Sequence, residues 1–158
     1  MNLELQINGE TARVEAGQHD TLLTVLRDQL QLQAAKRGCN QGVCGVCTVQ
    51  VDGWPARACL SLAHGCAGAQ VRTLEGLHHT PAMQALQRAF TEAGAFQCGF
   101  CTPGMLVAAE ALLAREPAPD AAAVKAALSG NLCRCTGYLK IVEAVQAAAA
   151  ALRQGASA

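Results

Sequence analysis

Aromatic side chains are scarce in this sequence: one Trp, one Tyr and three Phe among 158 residues, or 3%. With so few large rings, the apolar 51% must fill its core with small and aliphatic side chains. Net charge is also missing, since 12 Lys and Arg balance 12 Asp and Glu. A neutral chain has no general attraction for nucleic acid or anionic lipid. No run of about 18 apolar residues occurs, which excludes a membrane-spanning helix. The opening Met-Asn-Leu-Glu-Leu-Gln has neither the basic nor the apolar region of a secretory signal, so a cytoplasmic location is expected. There is no G-x-G-x-x-G, no P-loop, and no Ser-His-Asp or paired-carboxylate arrangement.

Two residue types are over-supplied. Alanine occurs 32 times, 23 of them after residue 80, as in closely packed helices. Cysteine occurs nine times. In a reducing compartment disulfides are rare, and short-spaced cysteines there bind metal or do redox chemistry. Nine thiols suit two four-thiolate sites with one to spare.

Hydrophobic patterning splits the chain. Leu3, Leu5 and Ile7 alternate, Asn8-Gly9 gives a turn, and Ala12, Val14 and Ala16 resume the alternation, which is a hairpin signature. Asp20 can cap a helix bearing Leu22, Leu23, Leu26 and Leu30. A Gly/Cys-rich loop follows from Lys36 to Cys47. A strand through Val46–Val51, a turn at Asp52-Gly53, a return strand over 54–62 and a short strand over 70–74 complete an α+β half. Composition shifts near 75–81, and helical spacing then dominates. Met83, Leu86 and Phe90 share one helix, and Thr102-Pro103 opens a second. Asp120 caps a third, and a fourth after Thr136-Gly137 carries Ile141, Val142, Val145 and Leu152, which together suggest a small bundle. Residues 154–158 are expected to fray.

The first cysteine set, Cys39, Cys44, Cys47 and Cys59, is spaced C-x4-C-x2-C-x11-C. Its first three positions match a plant-type [2Fe–2S] loop and fit poorly to paired zinc knuckles. Gly38, Gly42 and Gly45 let that loop turn tightly and aim N–H groups at sulfur. The second set, Cys98, Cys101, Cys133 and Cys135, reads C-x2-C and C-x-C, which alone fits zinc or an iron–sulfur cluster. Both pairs directly precede expected helix starts at 102 and 136, where the dipole favours an anionic cluster. Cys66 reads as a small buried hydrophobe. His19, His64, His78 and His79 are not at ligand spacing, and Trp54 reads as packing. Two clusters without a substrate site describe an electron conduit.

Three segments then become specific: Gly38-Cys39-Asn40-Gln41-Gly42-Val43-Cys44-Gly45-Val46-Cys47-Thr48-Val49, Gln97-Cys98-Gly99-Phe100-Cys101-Thr102-Pro103-Gly104-Met105 and Gly130-Asn131-Leu132-Cys133-Arg134-Cys135-Thr136-Gly137-Tyr138. Together, and in this order, they resemble the separate small iron–sulfur subunit of the molybdenum hydroxylases, the xanthine oxidase and aldehyde oxidoreductase family. The match runs from about residue 2 to 150. The resemblance implies an N-terminal β-grasp plant-type ferredoxin domain over 1–75 and an all-α four-helix [2Fe–2S]-binding domain over 76–158. It implies two [2Fe–2S] clusters, on Cys39, Cys44, Cys47 and Cys59 and on Cys98, Cys101, Cys133 and Cys135. The second would lie nearest a molybdopterin, as the cytosine dinucleotide, held by a large catalytic subunit. Gln97 would hydrogen-bond the pterin, and Cys135 would bridge cluster and pterin. Electrons from oxidation of an aldehyde, purine or N-heteroaromatic substrate would cross one at a time to FAD on a medium subunit or to another acceptor. Parts of the second half also resemble the small subunit of 4-hydroxybenzoyl-CoA reductase. A free-standing two-cluster ferredoxin is the remaining alternative.

Overall fold

The computed structural model describes residues 2–155. Strands β1 (Asn2–Ile7) and β2 (Glu10–Glu15) form the expected hairpin, with Ile7 opposite Glu10. Asn8 and Gly9 both take positive φ, 55° and 87°, as a two-residue hairpin turn requires. Strands β3 (Thr48–Val51) and β4 (Trp54–Arg57) repeat the device at Asp52 and Gly53, φ 51° and 81°. Strand β5 (Gln70–Arg72) lies between the hairpins, parallel to β1 and antiparallel to β3. The sheet order is β2-β1-β5-β3-β4. Across it lies helix α1 (Leu22–Thr24), continued by a π turn over Val25–Gln29. Leu22, Leu23, Val25 and Leu26 pack there with Leu5, Val14, Val49 and Val71, which is the ferredoxin β-grasp core.

A one-turn helix, α2 (Leu74–Leu77), leads out of the sheet. Four longer helices follow: α3 (Pro81–Ala93), α4 (Thr102–Arg115), α5 (Ala121–Leu128) and α6 (Leu139–Gly155). They enclose a second core containing Met83, Leu86, Phe90, Met105, Val145 and Ile141. Every residue of α4 from Gly104 to Leu113 is buried. A helix apolar on all sides must be covered on all sides, and α4 is sandwiched between the bundle and β3. Its one buried carboxylate, Glu110, accepts a hydrogen bond from Gln50 Nε2 of β3.

Several local expectations need correction. The N-cap of α1 is Thr21, whose side chain accepts from Thr24 N, while Asp20 instead accepts from Gly17 N. The return strand stops at Arg57 rather than 62, because residues 58–61 turn to bring Cys59 back toward the Cys44–Cys47 loop. Strand β5 ends at Arg72, where Thr73 is taken up by Asn8 Oδ1. The N-cap of α4 is Cys101, not Thr102. The last helix starts at Leu139, three residues late, because Tyr138 sits at φ 71°, outside helical space. Helix α2 was not expected at all. At the C-terminus α6 continues through Gly155, and residues 156–158 of the stretch expected to fray lie outside the described residues.

Two candidate metal centres

Among the described residues no group of three or more metal-binding side chains is drawn tightly together, and the first four cysteines come together as two pairs, Cys39 beside Cys44 and Cys47 beside Cys59. Cys39 and Cys44 come from the loop after the π turn, Cys47 from the foot of β3, and Cys59 from the turn after β4. Gln41 N and Cys44 N point at Cys39 Sγ, at 3.3 and 3.4 Å. These N–H groups, Cys44's foremost, bring the Cys39 thiol down to about 6. Asn40, Gly42 and Gly45 hold positive φ in this loop, which is how its N–H groups turn inward. The Cys47 thiol is pushed up to about 11, chiefly by burial.

The second four likewise form two pairs, Cys98 with Cys135 and Cys101 with Cys133, on the segments just before α4 and α6. Cys98 and Cys135 lie with their sulfurs 3.7 Å apart, and both are exposed. Cys101 is pushed up to about 12, first by burial and then by its bond with Cys133. Burial also works against ionisation at Cys133. There the Thr136 hydroxyl (3.1 Å) and N–H (3.4 Å) prevail and bring the thiol to about 7. Only the Cys98–Cys101 arm uses a helix start. The Cys133–Cys135 arm is held instead by Tyr138, whose hydroxyl accepts from Cys133 N at 2.8 Å and donates to Asn131 O at 3.1 Å.

The thiols are grouped in twos. Cys98 and Cys135 share a side-chain hydrogen bond, while Cys39 and Cys44, Cys47 and Cys59, and Cys101 and Cys133 are neighbours close enough to shift one another's ionisation. A two-iron, two-sulfide unit takes two thiolates on each iron, so two pairs per site suit it. Backbone N–H groups aimed at sulfur are the usual support of such thiolates. One further donor is available: Thr102 Oγ1, next to Cys101, is buried without a partner among the described residues. A sulfur cluster held by the neighbouring thiols would supply a hydrogen-bond acceptor for such a hydroxyl.

The two centres are joined. Leu132 N donates to Cys44 O at 2.8 Å, so the residue before Cys133 is bonded to a cysteine of the first set. Asn131, 3% exposed, donates Nδ2 to Gly45 O and to Thr48 Oγ1, both at 3.0 Å. Gln97 is exposed beside the second set, its Nε2 on Cys135 O at 3.0 Å. Phe96, Phe100, Leu132 and Leu139 are exposed there too, between 42% and 66%.

Residues 5–71 match the family model described as a 2Fe-2S iron-sulfur cluster binding domain, and residues 73–146 match a [2Fe-2S] binding domain. The small FeS subunit of nicotinate dehydrogenase from Eubacterium barkeri is 43% identical over 92% of this chain and 93% of its own. This chain belongs to the small iron–sulfur subunits of the molybdenum hydroxylases. Like other members, it is the two-cluster [2Fe–2S] subunit of an oxidoreductase. A chain of quinoline 2-oxidoreductase from Pseudomonas putida superposes with a TM-score of 0.90 at 44% identity, covering 98% of this chain and 97% of that one. Aldehyde oxidoreductase from Desulfovibrio desulfuricans matches equally, TM-score 0.90 and 45% identity, but there this subunit corresponds to only 17% of the chain.

Of the remaining expectations, Cys66 is buried in the ferredoxin core and its thiol is raised by that burial. His78 and His79 are exposed, their rings tilted by 42° against each other with centroids 3.5 Å apart. Trp54 does pack, at the surface rather than in a core. It is 63% exposed and lies under the Arg115 guanidinium, 4.6 Å away, across the junction of sheet and bundle. Sequence reasoning missed Thr102 and Tyr138 as parts of the second centre. Both lie inside the quoted motifs, so their signal was adjacency to cysteine. Among the described residues no helix is long and apolar enough to cross a membrane.

Proposed function

We propose that Cys39, Cys44, Cys47 and Cys59 bind one [2Fe–2S] cluster and Cys98, Cys101, Cys133 and Cys135 the other, within units spanning 1–75 and 76–158. Both clusters, when bound, supply one-electron redox chemistry. The chain's own residues provide thiolates, N–H and hydroxyl donors to sulfur, and a fixed bridge between the centres. The observation that carries this reading is the Cys44 O to Leu132 N bond. It offers an electron a short route from Cys44 through its own carbonyl, across one hydrogen bond, and along Leu132 into Cys133.

The exposed apolar rim at Cys98 and Cys135 is where the large molybdopterin-bearing catalytic subunit docks. Support comes from Desulfovibrio aldehyde oxidoreductase, where the matching unit is a small part of a far longer chain. Gln97 contacts the pterin, with the cofactor as the cytosine dinucleotide, and Cys135 links it to the second centre. Gln97 Oε1 is free for this, since Nε2 is engaged on Cys135 O. Electrons leave from the first centre to FAD on a medium subunit. The complex works in the cytoplasm. The substrate site lies on the catalytic subunit, and the quinoline and aldehyde enzymes match this chain equally, at 44% and 45%.

Metal analysis of the complex captured through this chain tests the reading. About four irons per molybdenum are expected from two two-iron clusters. Iron without molybdenum would leave a free ferredoxin, and about eight irons would point to a reductase-type partner carrying a four-iron cluster. Zinc in place of iron would overturn the reading. Gln97→Ala should weaken docking of the pterin-bearing subunit and slow turnover while cluster absorbance stays intact. Unchanged turnover in that variant would remove Gln97 from the pterin contact.

A further inference from the structure

Arg57, at the end of β4, reaches across the junction between sheet and bundle. Its Nη1 donates to Thr48 Oγ1 at 2.8 Å and its Nη2 to Gly130 O. The Thr48 hydroxyl donates in turn to Gly45 O at 2.6 Å and accepts from Asn131 Nδ2 at 3.0 Å. A hydroxyl has one proton to give and two lone pairs, so Thr48 uses its whole capacity here. Among the described residues Arg57 takes part in no ion pair. Its recorded hydrogen bonds go to two neutral oxygens, one on each side of the junction, and its charge also favours the thiolate of nearby Cys47. Those oxygens flank the Leu132–Cys44 bond: Gly130 is two residues before Leu132, and Thr48 hydroxyl holds the carbonyl of Gly45, the residue after Cys44.

We infer that Arg57, with Thr48 as its anchor, is a positioning residue for electron passage between the two centres, because its guanidinium clamps the 130–132 segment onto the Cys44–Thr48 loop and so keeps Leu132 N–H on Cys44 O. The inference rests on the two-cluster reading. It gives Arg57 a role that its absence from the cysteine sets would not suggest. An arginine suits it because a planar fork serves two acceptors at once, whereas a lysine is a single point donor. Gly130 is the complementary part. A Cβ there would occupy the place of Arg57 Nη2, so any side chain at 130 would displace the clamp.

The test uses the cluster-loaded complex and four chains: unmutated, Arg57→Ala, Arg57→Lys and Gly130→Ala. Gly130→Ala leaves Arg57 in place chemically and meets only the far end of its flexible side chain, so it separates clamping from folding. Iron should stay at about four per chain in all four. Amide exchange at Leu132 should quicken about 10- to 100-fold in Arg57→Ala and Gly130→Ala, the range for losing hydrogen bonds from a charged donor. Arg57→Lys should fall between. Magnetic splitting between the two reduced clusters should shrink, and the rate of electron passage between them after flash reduction should drop in the same order. Unchanged Leu132 exchange would overturn the clamp. Faster exchange with unaltered splitting and passage rate would make Arg57 merely structural and overturn the inference. Iron missing from the unmutated complex would overturn the cluster reading itself, and this inference with it.

Discussion

Cys133→Ser should leave the complex with about two irons per chain instead of about four, and turnover should collapse. The position is exacting for three reasons. Cys133 neighbours Cys101, so in the proposed cluster its loss would remove one of the two thiolates that this pair would supply. The Thr136 N–H and hydroxyl are aimed at its sulfur and hold the thiol at about 7, so it is the member of its pair readiest to ionise. A serine hydroxyl is far harder to ionise and sits short of the sulfur position. Metal ligands must be deprotonated to bind, and even outer-shell losses cost 10- to about 100-fold in metal affinity. Turnover should therefore fall by more than about a hundredfold, since every electron must cross the second centre. Iron content and low-temperature electron paramagnetic resonance check this directly. The second-site signal should vanish while the first-site signal persists. Cys66→Ser is the control: Cys66 lies in the ferredoxin core outside both sets and should keep about four irons. Retention of all the iron in Cys133→Ser would remove Cys133 from the ligand set.

How far such results could be anticipated differs between the two halves of each centre. Cysteine spacing was enough to nominate the eight thiols of the proposed clusters, because ligand spacing is a local property of chain and loop length. The hairpin turns were equally legible, since Asn8-Gly9 and Asp52-Gly53 carry the positive-φ residues that a two-residue turn demands. What the spacing could not reveal is which thiols pair. Cys47 with Cys59 and Cys98 with Cys135 are brought together by tertiary structure alone. The expected helix start at 136 failed for a comparable reason. Tyr138 is committed by its hydroxyl to Cys133 N and Asn131 O, and that commitment outweighs local helix preference. Arg57 left no trace in the pattern, because its partners are 9 and 73 residues away. Glu110 carries no local signal of burial in the sequence. Only the sheet packed against it shows that this carboxylate is buried on Gln50.

Gly45→Ala should be the most damaging single methyl added to this chain, and the reason lies in the same junction. Gly45 sits at φ 73°, a conformation that costs a residue with a Cβ about 1–2 kcal/mol. The added Cβ would also press on backbone, against Gly130 O and, at 2.8 Å, Asn131 Cα. Backbone cannot swing aside as a side-chain end can. Relief requires the first-centre loop to move away from the 130–132 segment. Overpacking of this kind costs about 1–3 kcal/mol, which brings the total to about 2–5 kcal/mol. For a chain of this size the unfolding midpoint should drop by roughly 5–15 °C. Gly9→Ala separates the two contributions. Gly9 has a similar φ, 87°, but nothing lies within 4 Å of its would-be Cβ, so it pays strain alone. Gly104→Ala isolates the other, since its Cβ would press on Gly45 O and its φ is not positive. The order of destabilisation should be Gly45→Ala first, with Gly9→Ala and Gly104→Ala each well behind. Gly45→Ala and Gly104→Ala should also weaken magnetic coupling between the clusters, because both force apart the loops that the Leu132–Cys44 bond joins, whereas Gly9→Ala should not touch it. A Gly45→Ala chain no less stable than Gly9→Ala would mean that the loops do not meet this closely. The fixed bridge between the centres would then lose its foundation.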